Sequence, residues 1–282
     1  MLLSLREVVD KYELMAKKSL GQNFLLDLNI TRKIVRESLV KQGKSDFSKM
    51  NMIEIGPGPG GLTRAVIETN PKSLTVIEMD DRCIEIMREL KDQYKQPMNI
   101  IQGDAMKCDI VSITQEPRGI ISNLPYNISV PLLTNWLENA EQYDNLTLMF
   151  QKEVADRIVA NIGSKEYGRI SVLAQLTCKI TRLFDLNPQN FVPAPKVWST
   201  VLLFQPHREQ PEKKVLNIVE KLTAKAFGQR RKMLRQSLKS IVGIKDILNE
   251  QKIPEDLRAE NITPQEYLKI AENIATKSID VQ

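Results

Sequence analysis

The chain holds a single histidine, His207, among 282 residues. One imidazole excludes a multi-histidine metal centre and a serine–histidine hydrolase. The three cysteines, Cys83, Cys108 and Cys178, are widely spaced and form no Cys-x-x-Cys pair. That pattern argues against a disulfide framework and against a zinc site, so no metal is expected. No apolar run approaches the roughly 18 to 20 residues needed to span a bilayer, and no membrane segment is expected. The opening Met1-Leu-Leu-Ser-Leu-Arg-Glu-Val-Val-Asp10 acquires charges at Arg6, Glu7 and Asp10 before the apolar core of a signal peptide can develop. A cytoplasmic protein follows as the expectation, and with no apolar stripe compelling a dimer, a monomer. A strong excess of one charge is also missing, with 40 Lys and Arg against 35 Asp and Glu. That balance is too even to indicate a partner.

The distribution of charge is more informative. Residues 221 to 240 contain Lys221, Lys225, Arg230, Arg231, Lys232, Arg235 and Lys239 and no acidic residue, whereas from Asp246 onward eight acidic residues face four basic ones. A local basic patch suits a phosphate-facing surface, and it also suits a solvated helix face.

Short apolar runs at Met52–Ile55, Leu74–Met79, Met98–Gln102, Gly119–Ser122 and Leu146–Gln151 read as buried strands separated by helix-compatible stretches. Alternation of this kind implies βαβ units and a mostly parallel sheet. Cys178–Leu186 and Val197–Gln205 read as two more strands without a long helix between them, which predicts an antiparallel hairpin at the sheet edge. Short helices are expected around Val8–Tyr12 and Ile30–Leu39. Pro206-His-Arg-Glu-Gln-Pro211 reads as a linker, and beyond it Val215–Phe227, Lys232–Ile241 and Pro264–Thr276 read as helices.

The first strand runs into Gly56-Pro-Gly-Pro-Gly-Gly61. Glycines there allow a tight turn and close backbone approach at the carboxyl end of a strand, where open α/β sheets bind ligands. Glu78 ends the second strand, placed to accept hydrogen bonds from both ribose hydroxyls of a nucleoside. Asp104, after the third, could take the exocyclic amine of an adenine or simply cap a helix. These features fit NAD as well as S-adenosylmethionine, and the glycine loop by itself could be a strand-to-helix turn.

Asn123-Leu124-Pro125-Tyr126 ends the fourth strand and points to methyl transfer. The exocyclic amine of adenine is a poor nucleophile because its lone pair is delocalised into the ring. The Asn123 side-chain oxygen and a main-chain carbonyl of Leu124 or Pro125 can each accept one N–H, drawing the amine towards tetrahedral geometry and its lone pair towards a methyl group. Tyr126 would stack on the ring. No general base is needed, since the methylated amine is acidic enough to lose its proton to water.

Motifs along nearly the whole chain resemble those of the bacterial small-subunit rRNA adenine dimethyltransferase family. They are Lys18-Ser-Leu-Gly-Gln-Asn-Phe-Leu25, Ile53-Glu-Ile-Gly-Pro-Gly58, Val76-Ile-Glu-Met-Asp80, Gly103-Asp-Ala105, Ser122 to Ser129, Gln151-Lys-Glu153, Ser164-Lys-Glu-Tyr-Gly-Arg-Ile-Ser-Val172, Phe191-Val-Pro-Ala-Pro-Lys-Val197 and Ala226-Phe-Gly-Gln-Arg-Arg-Lys232. The resemblance implies a Rossmann-like class I methyltransferase domain over residues 1–207, with an N-terminal helical extension, a mostly parallel seven-stranded sheet and an antiparallel edge hairpin. A small all-α RNA-binding domain would follow over 208–282. It implies S-adenosylmethionine as methyl donor and, as substrate, two adjacent adenosines in the 3′-terminal hairpin loop of 16S rRNA within the small ribosomal subunit or its precursor. Asn23 and Leu25 would close over the donor, Gly56 would line its site, Glu78 would bind its ribose and Asp104 its adenine. Asn123 would engage both donor and target amine, Tyr126 would stack on the target base, and Phe191, which reads as core from sequence alone, would pack against that base. Lys17, Lys18, Lys225, Arg230, Arg231, Lys232 and Arg235 are the candidate phosphate contacts. Two positions depart from the common family pattern: Leu20, where many members have Phe, and Trp198, where Asp or Glu is common. Three other readings remain open: a macrolide-resistance methyltransferase of large-subunit rRNA, a non-catalytic assembly factor on the same fold, and an NAD-dependent dehydrogenase.

Overall fold

Asn51–Ile55 and Arg118–Ser122 are buried at every position, as strands must be when a sheet is covered on both faces. The computed structural model describes residues 3–14 and 22–281. In chain order its strands are β1 (Phe24–Leu25), β2 (Asn51–Ile55), β3 (Ser73–Glu78), β4 (Met98–Gln102), β5 (Arg118–Ser122), β6 (Asn145–Gln151), β7 (Cys178–Leu186), β8 (Phe191–Val192) and β9 (Ser199–Pro206). Seven of them form one sheet in the order β4-β3-β2-β5-β6-β9-β7. Pairing is parallel from β4 through β6, and β9 runs antiparallel to β6 with Gln151 opposite Ser199. The order reverses between β2 and β5, which opens a crevice at their carboxyl ends.

Helices with one apolar face cover this sheet. Helix Leu28–Gln42 starts at Asp27, whose side chain accepts from Asn29 N, and stops at Gly43, which adopts φ 65°. Helix Asp81–Tyr94 is capped in the same manner by Asp80. Their buried Ile34, Val35, Leu39, Ile86, Met87 and Leu90 join Met52, Leu74 and Val76 of the strands in one core. Full burial of such a side chain contributes about 1.5–3 kcal/mol.

The chain divides into two compact units. The first comprises Met1–Leu133, Gln142–Lys152 and Thr181–Gln205; the second comprises Thr134–Glu141, Glu153–Ile180 and Pro206–Gln282. The second unit thus draws on chain from both sides of the Pro206–Pro211 stretch. Its core is helical, with Val219 and Leu222 of helix Lys213–Gly228 beside Tyr267, Ile270 and Ile274 of helix Pro264–Thr276. Tyr167 donates its hydroxyl to the Ile262 carbonyl at 2.9 Å and meets Phe227 edge to face.

Two sequence expectations change. The helix expected over Lys232–Ile241 is reduced to Leu234–Ser237. Leu234 N bonds to Leu257 O and Arg235 N to Glu255 O, so backbone donors at its start are claimed by a distant segment. Nor does the chain between β7 and β9 form a simple hairpin turn. It carries β8, which pairs antiparallel with β1 in a separate two-stranded sheet, Phe24 opposite Val192 and Leu25 opposite Phe191.

Candidate active site

The carboxyl ends of β2, β3, β4 and β5 line a cavity of about 320 Å³ within the first unit. The glycine loop forms its floor. Gly56 has φ 65° and donates its N–H to Ile77 O at 2.9 Å; a Cβ there would meet the Pro125 ring at 3.6 Å. Gly58, at φ 54°, lies beneath the Phe24 ring, and a Cβ on Gly58 would stand 3.0 Å from that ring. Ser122 donates its hydroxyl to Ile55 O at 2.6 Å, which locks the end of β5 to the end of β2. The glycine loop and the Asn123–Tyr126 segment are thereby held side by side.

Three carboxyl groups line the cavity, those of Glu54, Glu78 and Asp104, and no lysine or arginine does so among the described residues. Glu78 Oε1 accepts from Met79 N at 2.7 Å and Asp80 N at 3.0 Å, while among the described residues Oε2 accepts only from Gly58 N at 3.3 Å. A carboxylate offers about four acceptor sites, so Oε2 keeps one for a ligand hydroxyl. Burial pushes the Glu78 carboxyl above its ordinary range, and these three N–H donors work in the opposite direction. Asp104 Oδ1 accepts from Met106 N at 3.0 Å, and Oδ2 lies 3.9 Å from the exposed Lys107 ammonium. That leaves Oδ2 able to accept from an adenine amine.

Glu54 is not among the site residues that the sequence indicates. Only 1% exposed, it leaves Oε2 buried without a hydrogen-bond partner among the described residues. Desolvation raises its pKa to about 8; the neighbouring Thr63 hydroxyl lowers it and the Glu78 charge adds to the rise. A carboxyl in the otherwise apolar run Met52-Ile53-Glu54-Ile55 was the available signal. A lining with spare acceptors and an orphaned buried carboxyl oxygen fits a ligand that brings hydroxyl and amine donors and positive charge. A dianionic pyrophosphate would meet carboxylates with no cation opposite, which disfavours a dinucleotide.

The Asn123 amide has a defined orientation. Nδ2 donates to Asn23 O at 3.0 Å, which turns Oδ1 the other way, where it has no hydrogen-bond partner among the described residues. The Pro125 carbonyl accepts from Ile128 N at 3.2 Å, whereas the Leu124 carbonyl takes no backbone donor among the described residues. Tyr126 starts helix Tyr126–Leu137; its hydroxyl is 2.7 Å from Ser199 Oγ, and burial raises its pKa.

Asn23, Leu25, Gly56, Glu78, Asp104, Asn123, Leu124, Pro125 and Tyr126 therefore share this one cavity. Phe191 is 2% exposed in the core beside β1 and is not among the lining residues. Lys17 and Lys18 lie outside the described residues. In the second unit, Arg231 and Lys232 are exposed and Lys225 is half-buried. Arg230 donates to Glu260 at 2.6 Å and to Ser164 O at 2.9 Å, and Arg235 donates to Glu255 at 3.1 Å.

Residues 13–276 match the family model described as ribosomal RNA adenine dimethylase. Among similar curated proteins, the ribosomal RNA small subunit methyltransferase A of Paramagnetospirillum magneticum is 43% identical over 98% of this chain and 96% of its own length. The protein of the same name from Brucella melitensis is 46% identical over 95% of both. In fold the chain resembles a dimethyladenosine transferase from Plasmodium falciparum, with a TM-score of 0.72 at 23% identity over 90% of this chain and 98% of the other. It also resembles the 23S rRNA methyltransferase ErmE, with a TM-score of 0.68 at 20% identity over 90% of this chain and all of the other. At those identities the two structures speak for the fold alone. Both relatives and both structures are similar over most of the chain, the second unit included.

Proposed function

The chain belongs to the ribosomal RNA adenine dimethylase family and is an S-adenosylmethionine-dependent methyltransferase, and from that premise we propose that it dimethylates two adjacent adenosines in the 3′-terminal hairpin loop of 16S rRNA. The observation that carries this reading is the orientation of Asn123 at the mouth of a carboxyl-lined cavity. Glu78 Oε2 accepts from the donor's ribose and Asp104 Oδ2 from its adenine amine. Glu54 faces the positive charge of the methionyl part. Asn123 Oδ1 and the Leu124 carbonyl each accept one N–H of the target adenine. Their pull draws the nitrogen out of conjugation and holds its lone pair in line with the methyl carbon. Tyr126, tied at its hydroxyl to Ser199, keeps the base plane in place. The bond from sulfur to methyl breaks as the nitrogen–methyl bond forms, and the amine's proton leaves to water. Phe191, buried beside β1 and outside the cavity lining, acts on this site through its pairing with Leu25 rather than by touching the base.

A base inside a helix cannot reach this cavity, and unstacking it costs a few kcal/mol, least in a loop. A hairpin loop is therefore the fitting substrate. Lys225, Arg231 and Lys232 supply phosphate contacts that do not read sequence. On this reading the chain works as a monomer in the cytoplasm, where small subunits mature.

Labelled S-adenosylmethionine and undermethylated small subunits provide the test, with products read by mass spectrometry. Dimethyladenosine at two adjacent loop positions, lost in Asn123→Ala, is expected. Labelling of large-subunit rRNA alone, or tight RNA binding without transfer, would overturn the proposal.

A further inference from the structure

The chain has two tryptophans in opposite environments: Trp136 is 2% exposed, and Trp198 is 47% exposed. Trp198 directly precedes β9. Because Gln151, the last residue of β6, pairs with Ser199, Trp198 stands at the carboxyl edge of the sheet, the edge on which the cavity opens. Its backbone is fixed there by the bond from Lys152 N to Trp198 O at 2.8 Å. The next residue, Ser199, holds the Tyr126 hydroxyl at 2.7 Å. Among the described residues no aromatic ring or cation stacks on the indole. Val197 is exposed beside it, and Lys196, two residues earlier, is exposed without an ion-pair partner among the described residues.

About half of the Trp198 surface is open to solvent, and among the described residues no ring or cation stacks on it. A flat apolar face with an ammonium group close by in the chain is a combination that binds an unpaired nucleotide, the face taking the base and the cation its phosphate. We propose that Trp198 is a stacking platform for an unpaired base flanking the target adenosine in the same RNA loop, with Lys196 at the adjoining phosphate. The proposal rests on the rRNA substrate argued above and adds a subsite that the transfer chemistry does not use. Every base has a π face, so this platform contributes to affinity and positioning without selecting sequence.

Since Trp136 is buried, acrylamide quenching of fluorescence reports mainly on Trp198. A protein-free RNA hairpin corresponding to the 3′ end of 16S rRNA is expected to lower that quenching by at least about half, since stacking shields one face of the ring. Trp198→Ala is expected to raise KM for small subunits about tenfold, the scale of one lost base–aromatic stack, with kcat held within about twofold. Trp198→Phe retains most of the affinity, and binding of S-adenosylmethionine is unchanged in both variants. Unaltered quenching in the presence of the hairpin, or an unaltered KM in Trp198→Ala, overturns the proposal. So does protection by a ribosomal protein fraction but not by RNA. Absence of methyl transfer by the unsubstituted enzyme would refute the function instead, and the quenching experiment would still decide the role of Trp198.

Discussion

Replacing Glu54 with Gln preserves shape and removes the ionisable group. In the folded chain this carboxyl has a pKa of about 8 against an ordinary 4.5. Below 4.5 it is protonated whether the chain is folded or unfolded, and stability carries no penalty. As pH rises, the unfolded chain ionises first, so stability falls by about 1.4 kcal/mol per pH unit until the folded carboxyl ionises near 8. The full interval amounts to on the order of 5 kcal/mol, a large part of the stability of an ordinary domain. Urea unfolding at pH values between 5 and 8, followed by circular dichroism, should show Glu54→Gln gaining on the unsubstituted protein by on the order of 4 kcal/mol across that range. Glu78, also raised by burial, is present in both proteins and cancels in the difference. A stability difference that stays constant within about 0.5 kcal/mol from pH 5 to 8 would refute a neutral Glu54. A positively charged ligand pulls the same carboxyl towards ionisation. Calorimetric titration with S-adenosylmethionine near pH 7, in buffers of different ionisation enthalpy, should therefore register proton release that Glu54→Gln lacks.

Asn123→Ala removes both the bond to Asn23 O and the acceptor aimed at the target amine, and should lower kcat by about 100- to 1,000-fold in a labelled-methyl assay, the scale for one lost preorganised hydrogen-bond partner. Tyr126→Phe removes only the 2.7 Å contact with Ser199; a stability loss of about 1 kcal/mol by urea unfolding is expected, with transfer retained, whereas Tyr126→Ala should abolish transfer. Arg230→Ala breaks a pair with Glu260 and a bond to Ser164 O and should lower the unfolding temperature. Lys232→Ala should leave that temperature unchanged and reduce the salt dependence of RNA binding by about one phosphate contact.

Much of the fold is legible because its central strands are buried on both faces. Continuous runs such as Met52–Ile55 and Gly119–Ser122 announce themselves without any knowledge of their neighbours, and β7 was placed at both ends from its sequence. The glycine loop, Glu78, Asp104 and Asn123–Tyr126 were legible because each follows such a run, and parallel strands deliver their carboxyl ends to one place. What escaped depends on partners far away in the chain. The two residues of β1 carry no periodic signal, since their pairing is decided by β8 more than 160 residues later. Segment Lys232–Ile241 reads as helical, yet only Leu234–Ser237 is, and its first N–H groups bond to the Leu257 and Glu255 carbonyls of a later segment. Residues 221 to 240 contain no acidic residue, so Arg230 and Arg235 looked uncompensated; their partners Glu260 and Glu255 arrive from a later segment. Glu54 escapes a sequence reading because one charged residue in the run Met52-Ile53-Glu54-Ile55 merges into the strand pattern.

The ladder between β1 and β8 joins two parts of the molecule that evolution would otherwise be able to retune separately. Phe24 roofs Gly58, the Leu25 carbonyl lies where a Cβ on Gly61 would come within 2.7 Å, and the partners of these residues are Val192 and Phe191. An insertion or a register slip on one side changes the other through the shared backbone. A change in the segment that carries Phe191 must then stay acceptable to the strand over the glycine loop, so the pairing constrains the two segments together.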